Sequence, residues 1–371
     1  MKIALVCRHF PPAISGGARR PYLLAKELEA RRHDIVVLAP QPCEGLAVIV
    51  VPHPQIDPPA EPAAQTPRMR NRLREWLLLP DPDIRWALRA AGAPLPWRPD
   101  WVISTSPPES SHIAGWLIRR RHDCRWLADF RDHWVRDPLR PILRRSATRR
   151  WLERRMARFI LPAADATAAT TPAIIDEIAA LGGPERAAAI PNFADPPPPR
   201  DPLPDGAINI VHTGGFLLSD HGRPLAPILA ALEAAGREDL RLHLVGRLQS
   251  DEIRQVEQSS AAERIVVTGP LPLEEARAYQ GAADVLLLVA GKTQVPGKLA
   301  EYRAAGKPML VHGDGPWTAA AGLQPVSDLR AAFAALPGSA APPPPGLTVR
   351  DAADRFLDLM LGDQNLSEGG R

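Results

Sequence analysis

Four short stretches of the chain carry residue types with chemical potential. The most suggestive is 295–302, Val-Pro-Gly-Lys-Leu-Ala-Glu-Tyr. A proline and a glycine ahead of a helix-forming run mark a helix start. The glycine leaves backbone N–H groups bare, and Lys298 adds a point charge to the positive helix end. Pro296, Gly297, Lys298 and Leu299 therefore suit a diphosphate. Glu301 follows about one turn later on the same face, where its carboxylate can accept hydrogen bonds from both hydroxyls of a ribose. The competing reading is a surface Lys298–Glu301 pair, worth only ~0.3–0.5 kcal/mol.

The second stretch, 129–134, is Asp-Phe-Arg-Asp-His-Trp and closes an expected strand. Histidine exchanges protons near neutrality, and carboxylates hold sugar hydroxyls. The rival is a structural ion pair such as Arg131 with Asp129. The third is Gly16-Gly17 after the first strand, where glycines let a ligand approach the backbone. It lacks the spacing of a nicotinamide fingerprint. Arg19 and Arg20 just inside the following helix oppose its dipole, which favours an anionic ligand nearby. The fourth, Thr213-Gly214-Gly215-Phe216, follows the first strand of the second half. It suits a phosphate or sugar contact, or is a simple turn.

The elements that would hold these stretches follow one rhythm. Apolar runs at 3–6, 35–38, 48–51, 102–103 and 126–128 read as buried strands, with helices at 18–30 and 110–121. The pattern restarts with strands at 208–211, 241–245, 265–268, 285–288 and 309–311, and helices at 226–235, 273–281 and 298–305. This is the βαβ alternation of a doubly wound parallel sheet, seen twice. The Pro-rich segment 191–206 sustains neither helix nor ladder and reads as a linker. A second Pro-rich stretch, 337–345, precedes an amphipathic helix at 349–361. The expected plan is a lobe at 1–190, a linker at 191–206, a second lobe at 207–336 and a terminal segment at 337–371. Two such lobes face each other across a cleft, and ligands lie beyond the carboxyl ends of the strands. A two-domain binding protein would share this plan.

The 371 residues exceed one ordinary core, which agrees with two lobes. A net charge of +3 argues against general nucleic-acid binding. Three scattered cysteines, Cys7, Cys43 and Cys124, form neither a disulfide framework nor a zinc site and fit a reducing cytoplasm. The apolar start is too short for a signal peptide, and no run approaches the ~20 residues of a membrane span.

These motifs, in this order, resemble retaining GT-B glycosyltransferases of family 4, especially bacterial polysaccharide-type group 1 members. The resemblance runs from Arg8-His9-Phe10-Pro11-Pro12 and Gly16-Gly17 to the stretch 295–308. It passes through Leu79-Pro80-Asp81-Pro82 and Trp86, Ser104 to Ser110, Asp129 to Trp134 and His212-Thr213-Gly214-Gly215. It implies transfer of a sugar from a UDP- or GDP-type nucleotide sugar to a glycan, lipid-linked or small-molecule acceptor. Configuration would be retained, with no metal or cofactor beyond the nucleotide-sugar co-substrate. The second lobe would hold the nucleotide and the first the acceptor. Lys298 and Arg247 would face the phosphates and Glu301 the ribose, with Gly214, Gly215, Pro296, Gly297 and Leu299 completing the donor site. Gly16, Gly17, Arg19 and Arg131 would lie near the acceptor and diphosphate. Asp132 and His133 would touch sugar or acceptor beside the reacting carbon. The leaving phosphate would help take the acceptor proton, so no carboxylate nucleophile is assigned.

The chain departs from the family pattern in two places. Many members carry an E-x7-E glutamate pair whose later member matches Glu301; the earlier position is Thr293 here. Many also carry an Arg and a Lys after the second lobe's first strand, where 216–223 offers only Arg223 with His221 nearby. An alternative function is therefore a catalytically idle relative acting in binding or assembly. A sugar-nucleotide epimerase of GT-B build fits the motifs less well.

Residues 139–159 carry Arg140, Arg144, Arg145, Arg149, Arg150, Arg154, Arg155 and Arg158 against one acid, Glu153, with apolar Leu143, Trp151, Leu152 and Met156 interleaved. An amphipathic helix of this kind can lie on anionic lipid, at ~1 kcal/mol per basic residue, or pack one face on the lobe. The expected location is cytoplasmic, with a peripheral seat on the inner membrane face as the option this helix opens.

Overall fold

The computed structural model describes residues 1–12, 16–53, 78–137, 140, 142, 146–216, 224–289, 295–313 and 315–362. The chain forms two compact units, Met1–Asn192 with Val349–Arg371, and Phe193–Thr348.

The first unit is a seven-stranded sheet of β1 (Lys2–Val6), β2 (Asp34–Ala39), β3 (Val48–Val50), β4 (Trp101–Ser106), β5 (Arg125–Phe130), β6 (Ala166–Ala169) and β7 (Ala187–Ala189). The order is β3-β2-β1-β4-β5-β6-β7, and every pairing is parallel. Its helices are α1 (Gly16–Ala30), α2 (Ile84–Gly92), α3 (Ser110–His122), α4 (Ala147–Ile160) and α5 (Pro172–Ala180). Strands covered on both faces are largely apolar; β4 is buried at every position, apolar at Trp101, Val102 and Ile103 and polar only at its carboxyl end, Ser104, Thr105 and Ser106. The core beneath α2, α3 and α4 centres on Trp86, Trp126, Phe130 and Trp134.

The second unit repeats the plan with β8 (Ile208–Thr213), β9 (Leu240–Val245), β10 (Ile265–Gly269), β11 (Val285–Val289), β12 (Met309–His312) and β13 (Pro325–Val326), in the order β10-β9-β8-β11-β12-β13. Its helices are α6 (Ala226–Ala234), α7 (Ser250–Gln258), α8 (Leu273–Ala282), α9 (Lys298–Ala305), α10 (Pro316–Ala320) and α11 (Leu329–Ala334). The last helix, α12 (Val349–Leu361), returns to the first unit. Arg31 there donates to the Arg350 carbonyl at 2.9 Å and pairs with Asp354. The guanidinium of Arg20 lies over the Phe356 ring, 5.3 Å from its centroid.

Most of the Pro-rich segment belongs to the second unit instead of spanning freely. Arg277 donates to the carbonyls of Asp195 and Pro196, each at 2.7 Å. Proline has no N–H to offer a ladder, but its neighbours' carbonyls still accept, and this arginine uses them.

The basic segment also differs from expectation. Helix α4 begins only at Ala147, capped by Ser146, whose hydroxyl accepts from the Arg149 N–H at 3.1 Å. Leu139, Leu143, Arg144 and Arg145 lie outside the described residues. Two of the segment's arginines turn inward, as the packed-face alternative has it. Arg149, 1% exposed, donates to Glu153 at 2.9 Å and to the Pro80 carbonyl at 2.6 Å. Arg140 donates to both oxygens of Glu153 and to Pro80. The single acid of the helix is fully buried, so its countercharges must be buried with it.

Candidate active site

In each sheet the strand order reverses once, between β1 and β4 and between β8 and β11. Loops at the carboxyl ends on either side of such a reversal diverge and open a crevice. Gly16 and Gly17 follow β1, and Thr213 to Gly215 follow β8. Pro296, Gly297 and Lys298 follow β11, after residues 290–294, which with Thr293 lie outside the described residues. His221 and Arg223 also lie outside them.

In the second unit the β8 and α9 residues are wired together. Lys298 Nζ donates to the Thr213 carbonyl and lies 3.2 Å from His212 Nε2. His212 Nδ1 is 2.9 Å from the Leu287 carbonyl, which fixes Nδ1–H as donor and Nε2 as acceptor. Tyr302, fully buried, accepts the Thr213 N–H at 2.9 Å, and burial pushes its hydroxyl pKa up to about 12. Gln280 Nε2 donates to Thr213 Oγ1 at 3.0 Å and to Glu301 Oε2 at 2.9 Å. Lys298 and Glu301 are thus each tied into the β8 edge, a stronger positioning than the surface pair considered from sequence. Gly214, at φ +89°, occupies the left-handed region, and a Cβ there would meet Lys298 Nζ at 3.3 Å. Gly246 (φ +145°) packs on Gly214 itself, since a Cβ on it would stand 2.9 Å from the Gly214 Cα. Gly215 is half-buried, and Arg247, one residue beyond Gly246, is exposed. Pro296 and Leu299 are buried and anchor the turn, with the Leu299 N–H donating to the Pro296 carbonyl at 3.0 Å.

In the first unit the loop after β5 is divided between structure and surface. Asp129, 2% exposed, pairs with Arg20 at 2.8 Å and accepts from Thr105 at 3.0 Å. Arg20 also donates to the Ile190 and Pro191 carbonyls. The anionic ligand inferred for Arg20 at the helix start is therefore replaced by a carboxylate of the protein, and the expected Arg131–Asp129 pair by Arg20–Asp129. Arg131 instead spends its guanidinium on three carbonyls, those of Ser106, Gly17 and Pro107. A Cβ on Gly17 would meet Arg131 Nη1 at 2.2 Å, so only glycine admits this guanidinium. Arg19, two residues after Gly17, is half-buried. Trp134 is core, its indole donating to Glu153 at 3.1 Å.

Asp132 and His133 are half-buried. Burial raises the Asp132 carboxyl pKa, opposed by Arg131 and His133. His133 Nδ1 hydrogen-bonds Glu177 Oε2. The other oxygen of Glu177 accepts the Val135 and Arg136 N–H groups at 2.8 and 3.0 Å. Burial pushes the Glu177 carboxyl up, but the bonds from His133, Val135 and Arg136 outweigh it and hold it below its usual range.

Sequence reasoning missed Glu177, Gln280, His9 and the Arg8–His53–Asp83 cluster. Burial, then Arg131 and Arg8, lowers the His9 pKa to about 4. Arg8 Nη2 lies 2.9 Å from His53 Nδ1, and His53 Nε2 lies 2.8 Å from Asp83. His9 stood in a quoted motif. Glu177 and Gln280 sit within helices that face the site only after folding. Among the described residues no group of three His, Cys, Asp or Glu side chains could hold a metal ion.

Residues 15–192 match the family described as glycosyl transferase 4-like domain, and residues 209–324 that described as glycosyl transferases group 1. The chain has the domain content of a group 1 glycosyltransferase. No curated protein matches this glycosyltransferase at significant similarity. Among solved structures it is similar to sucrose-phosphate synthase from Thermosynechococcus elongatus, with 18% identity and a TM-score of 0.61, covering 96% of this chain and 94% of that one. It is similar to Anabaena Alr3699/HepE in complex with UDP, with 12% identity, a TM-score of 0.57 and coverage of 96% and 95%. A putative UDP-N-acetylglucosamine 2-epimerase from Listeria monocytogenes is also similar, with 17% identity, a TM-score of 0.56 and coverage of 96% and 94%. At these identities the likeness is one of fold, and the fold is GT-B.

Proposed function

We propose that this glycosyltransferase moves a sugar from a UDP- or GDP-type nucleotide sugar to a glycan, lipid-linked or small-molecule acceptor, with retention of configuration. The observation that carries the donor half is the joining of β8 to the start of α9, through Lys298 on the Thr213 carbonyl and Gly214 beneath its ammonium. Positive charge, bare backbone amides and a Cβ-free approach converge there, which is what a diphosphate needs. Similarity to the UDP-bound Anabaena protein supports a uridine nucleotide as the first donor to try.

In this reading Lys298, Arg247 and the α9 N–H groups neutralise the leaving diphosphate, so charge stabilisation comes without a resident metal. Glu301, held by Gln280, accepts from the ribose hydroxyls. Gly214, Gly215, Pro296, Gly297 and Leu299 shape the cradle. Gly16, Gly17, Arg19 and Arg131 line the acceptor side, where Arg131 rests on neutral carbonyls and keeps its field for an incoming anion. Asp132 and His133 contact sugar hydroxyls beside the reacting carbon. The bond from anomeric carbon to acceptor oxygen forms on the face that the diphosphate leaves, and the departing phosphate oxygen takes the acceptor proton.

A lipid-linked acceptor is favoured by the surface of the first unit. Arg154, Arg155 and Arg158 are exposed on α4 beside Trp151 and Phe159, which are 57% and 69% exposed. Phe159 packs edge-on against Trp116 of α3, where Arg120 covers the indole. The sequences of α2 and α3 contain no acid, and the one acid of α4 is buried. Exposed aromatics among unopposed arginines suit the headgroup layer of an anionic membrane. No described helix is long and apolar enough to cross one.

The decisive experiment incubates the protein with UDP- and GDP-sugars and candidate acceptors and reads the product by mass spectrometry. A product heavier by one glycosyl unit, with the donor's anomeric configuration, supports the reading. Tight nucleotide binding with neither transfer nor donor hydrolysis across the panel refutes it.

A further inference from the structure

Glu177 is a buried carboxylate that the donor and acceptor roles above leave unused. It lies on α5, whose start is set by Thr171 as N-cap and Pro172 in the first turn. It is 4% exposed, while its partner His133 is 26% exposed. One oxygen takes two consecutive backbone N–H groups of the β5 loop, and the other takes the imidazole Nδ1. The helix therefore reaches across β6 to hold the loop and the ring at one point.

We infer that Glu177 is a positioning residue. It fixes His133 in the Nδ1–H tautomer, so that Nε2 is a lone-pair acceptor offered to a hydroxyl of the bound sugar. The chemistry is one of donor counting. An ionised carboxylate only accepts, so the ring nitrogen facing it must carry the proton. Free imidazole has no such constraint, and the choice of nitrogen is set by what the other one bonds. The hydrogen bonds that keep Glu177 ionised keep the donor on Nδ1. In its own loop the ring interacts with Asp132, but the carboxylate seated on Nδ1 is that of Glu177. A side chain needed only to close the loop could do so through Val135 and Arg136; the third bond, the one made to a side chain and not to the backbone, is what a purely structural role does not require.

This inference rests on the reading of the β5 loop as a sugar-handling segment, but its first test needs no substrate. Nitrogen-15 imidazole spectra of the free protein are recorded at about pH 8, where an ordinary histidine is neutral, with His133 assigned by His133→Asn. The expected spectrum has a protonated Nδ1 and a bare Nε2 at His133. In Glu177→Gln the amide oxygen can still take the loop N–H groups, while its NH2 must donate to the ring. The tautomer should then reverse to Nε2–H with thermal stability kept within a few degrees. An Nε2–H ring in the wild type, or a Glu177→Gln spectrum unchanged from it, overturns the inference. Should Glu177→Gln fail to fold, the wild-type tautomer still decides the point.

The second arm adds UDP and then UDP-glucose as probes. Movement of the Nε2 resonance with the nucleotide sugar, beyond that with UDP, supports the sugar contact. If both stabilise the fold and leave Nε2 at one position, the contact is refuted. If neither binds, the functional reading fails, and the tautomer measurement alone judges the positioning role.

Discussion

Replacing Gly17 by alanine sets two effects of opposite sign against each other. Within a helix, alanine is better than glycine by up to about 1 kcal/mol, and the gain is smaller in the first turn, where Gly17 sits. Against this, the new Cβ would fall 2.2 Å from Arg131 Nη1 and 3.1 Å from its Cζ. A long side chain would normally swing aside, but this guanidinium is pinned on the carbonyls of Gly17, Ser106 and Pro107. Hydrogen bonds from a charged donor contribute about 1.5–3 kcal/mol each. Losing two of the three and regaining water in part costs roughly 2–4 kcal/mol. The net expectation is a loss of about 1–3 kcal/mol, or ~2–12 °C in the melting of the first unit at ~2–4 °C per kcal/mol. The assay is chemical and thermal denaturation of Gly17→Ala, Arg131→Ala and the double variant. The account requires a coupling of at least about 1 kcal/mol, because the three atoms nearest the alanine methyl all belong to that guanidinium. A Gly17→Ala protein as stable as wild type, or the same loss with and without Arg131, would refute it.

Other outcomes follow from the same structure. Burial raises the Glu109 carboxyl pKa from 4.5 to about 8 and that of Asp81 in the same direction, close to Arg140. The folded state therefore binds protons the unfolded chain has lost, so this stability is present below about pH 4.5 and is lost as pH rises toward 8. Glu109→Gln, which mimics the protonated group, should flatten the fall in melting temperature between pH 5 and 8.5 (both on the order of the pKa limits); a slope equal to wild type contradicts this. Gly246→Ala presses a Cβ on the Gly214 backbone and should cost at least about 2 kcal/mol, whereas Gly297→Ala, whose Cβ meets nothing within 4 Å, should fold normally and weaken only nucleotide binding. Equal stability of the two variants in denaturant melts would count against the packing described. Sedimentation with vesicles containing phosphatidylglycerol should be strong for wild type and largely lost in the Arg154→Glu, Arg155→Glu, Arg158→Glu variant; binding to neutral vesicles with equal strength, or to RNA in preference to vesicles, would contradict an anionic membrane as the partner.

Much of the fold was legible because its strands are apolar and its helices start on recognisable signals. The strand expected at 285–288 is found at Val285–Val289, and the helix expected at 298–305 is α9 itself. Strands β6 and β7 were missed because Ala-Thr-Ala-Ala and Ala-Ala-Ala hold a single β-branched residue, Thr167, and are otherwise alanine, which does not mark a strand. They are strands because β5 offers a parallel edge to β6, and β6 in turn to β7. The site was legible at the level of Lys298, Glu301 and the glycines, whose spacing along the chain carries their meaning. It was not legible where function depends on partners far apart in sequence. Asp129 and Arg20 stand 109 residues apart, and Glu177 lies 44 from His133. The basic segment misled for the same reason: a count of arginines does not reveal that Arg140 and Arg149 turn inward to the one acid of the helix.

The central claim is that the β8–α9 junction holds a nucleoside diphosphate. It is tested most directly by calorimetric titration of UDP and GDP into the wild type and Lys298→Ala, with Arg241→Ala, on the outer part of β9, as a control. The account predicts saturable binding of at least one of the two to the wild type and to the control. In Lys298→Ala it should be weaker by roughly 10- to 100-fold, the equivalent of one charge-assisted contact of about 1.5–3 kcal/mol. Binding of equal strength with and without Lys298, or none to the wild type, would contradict it.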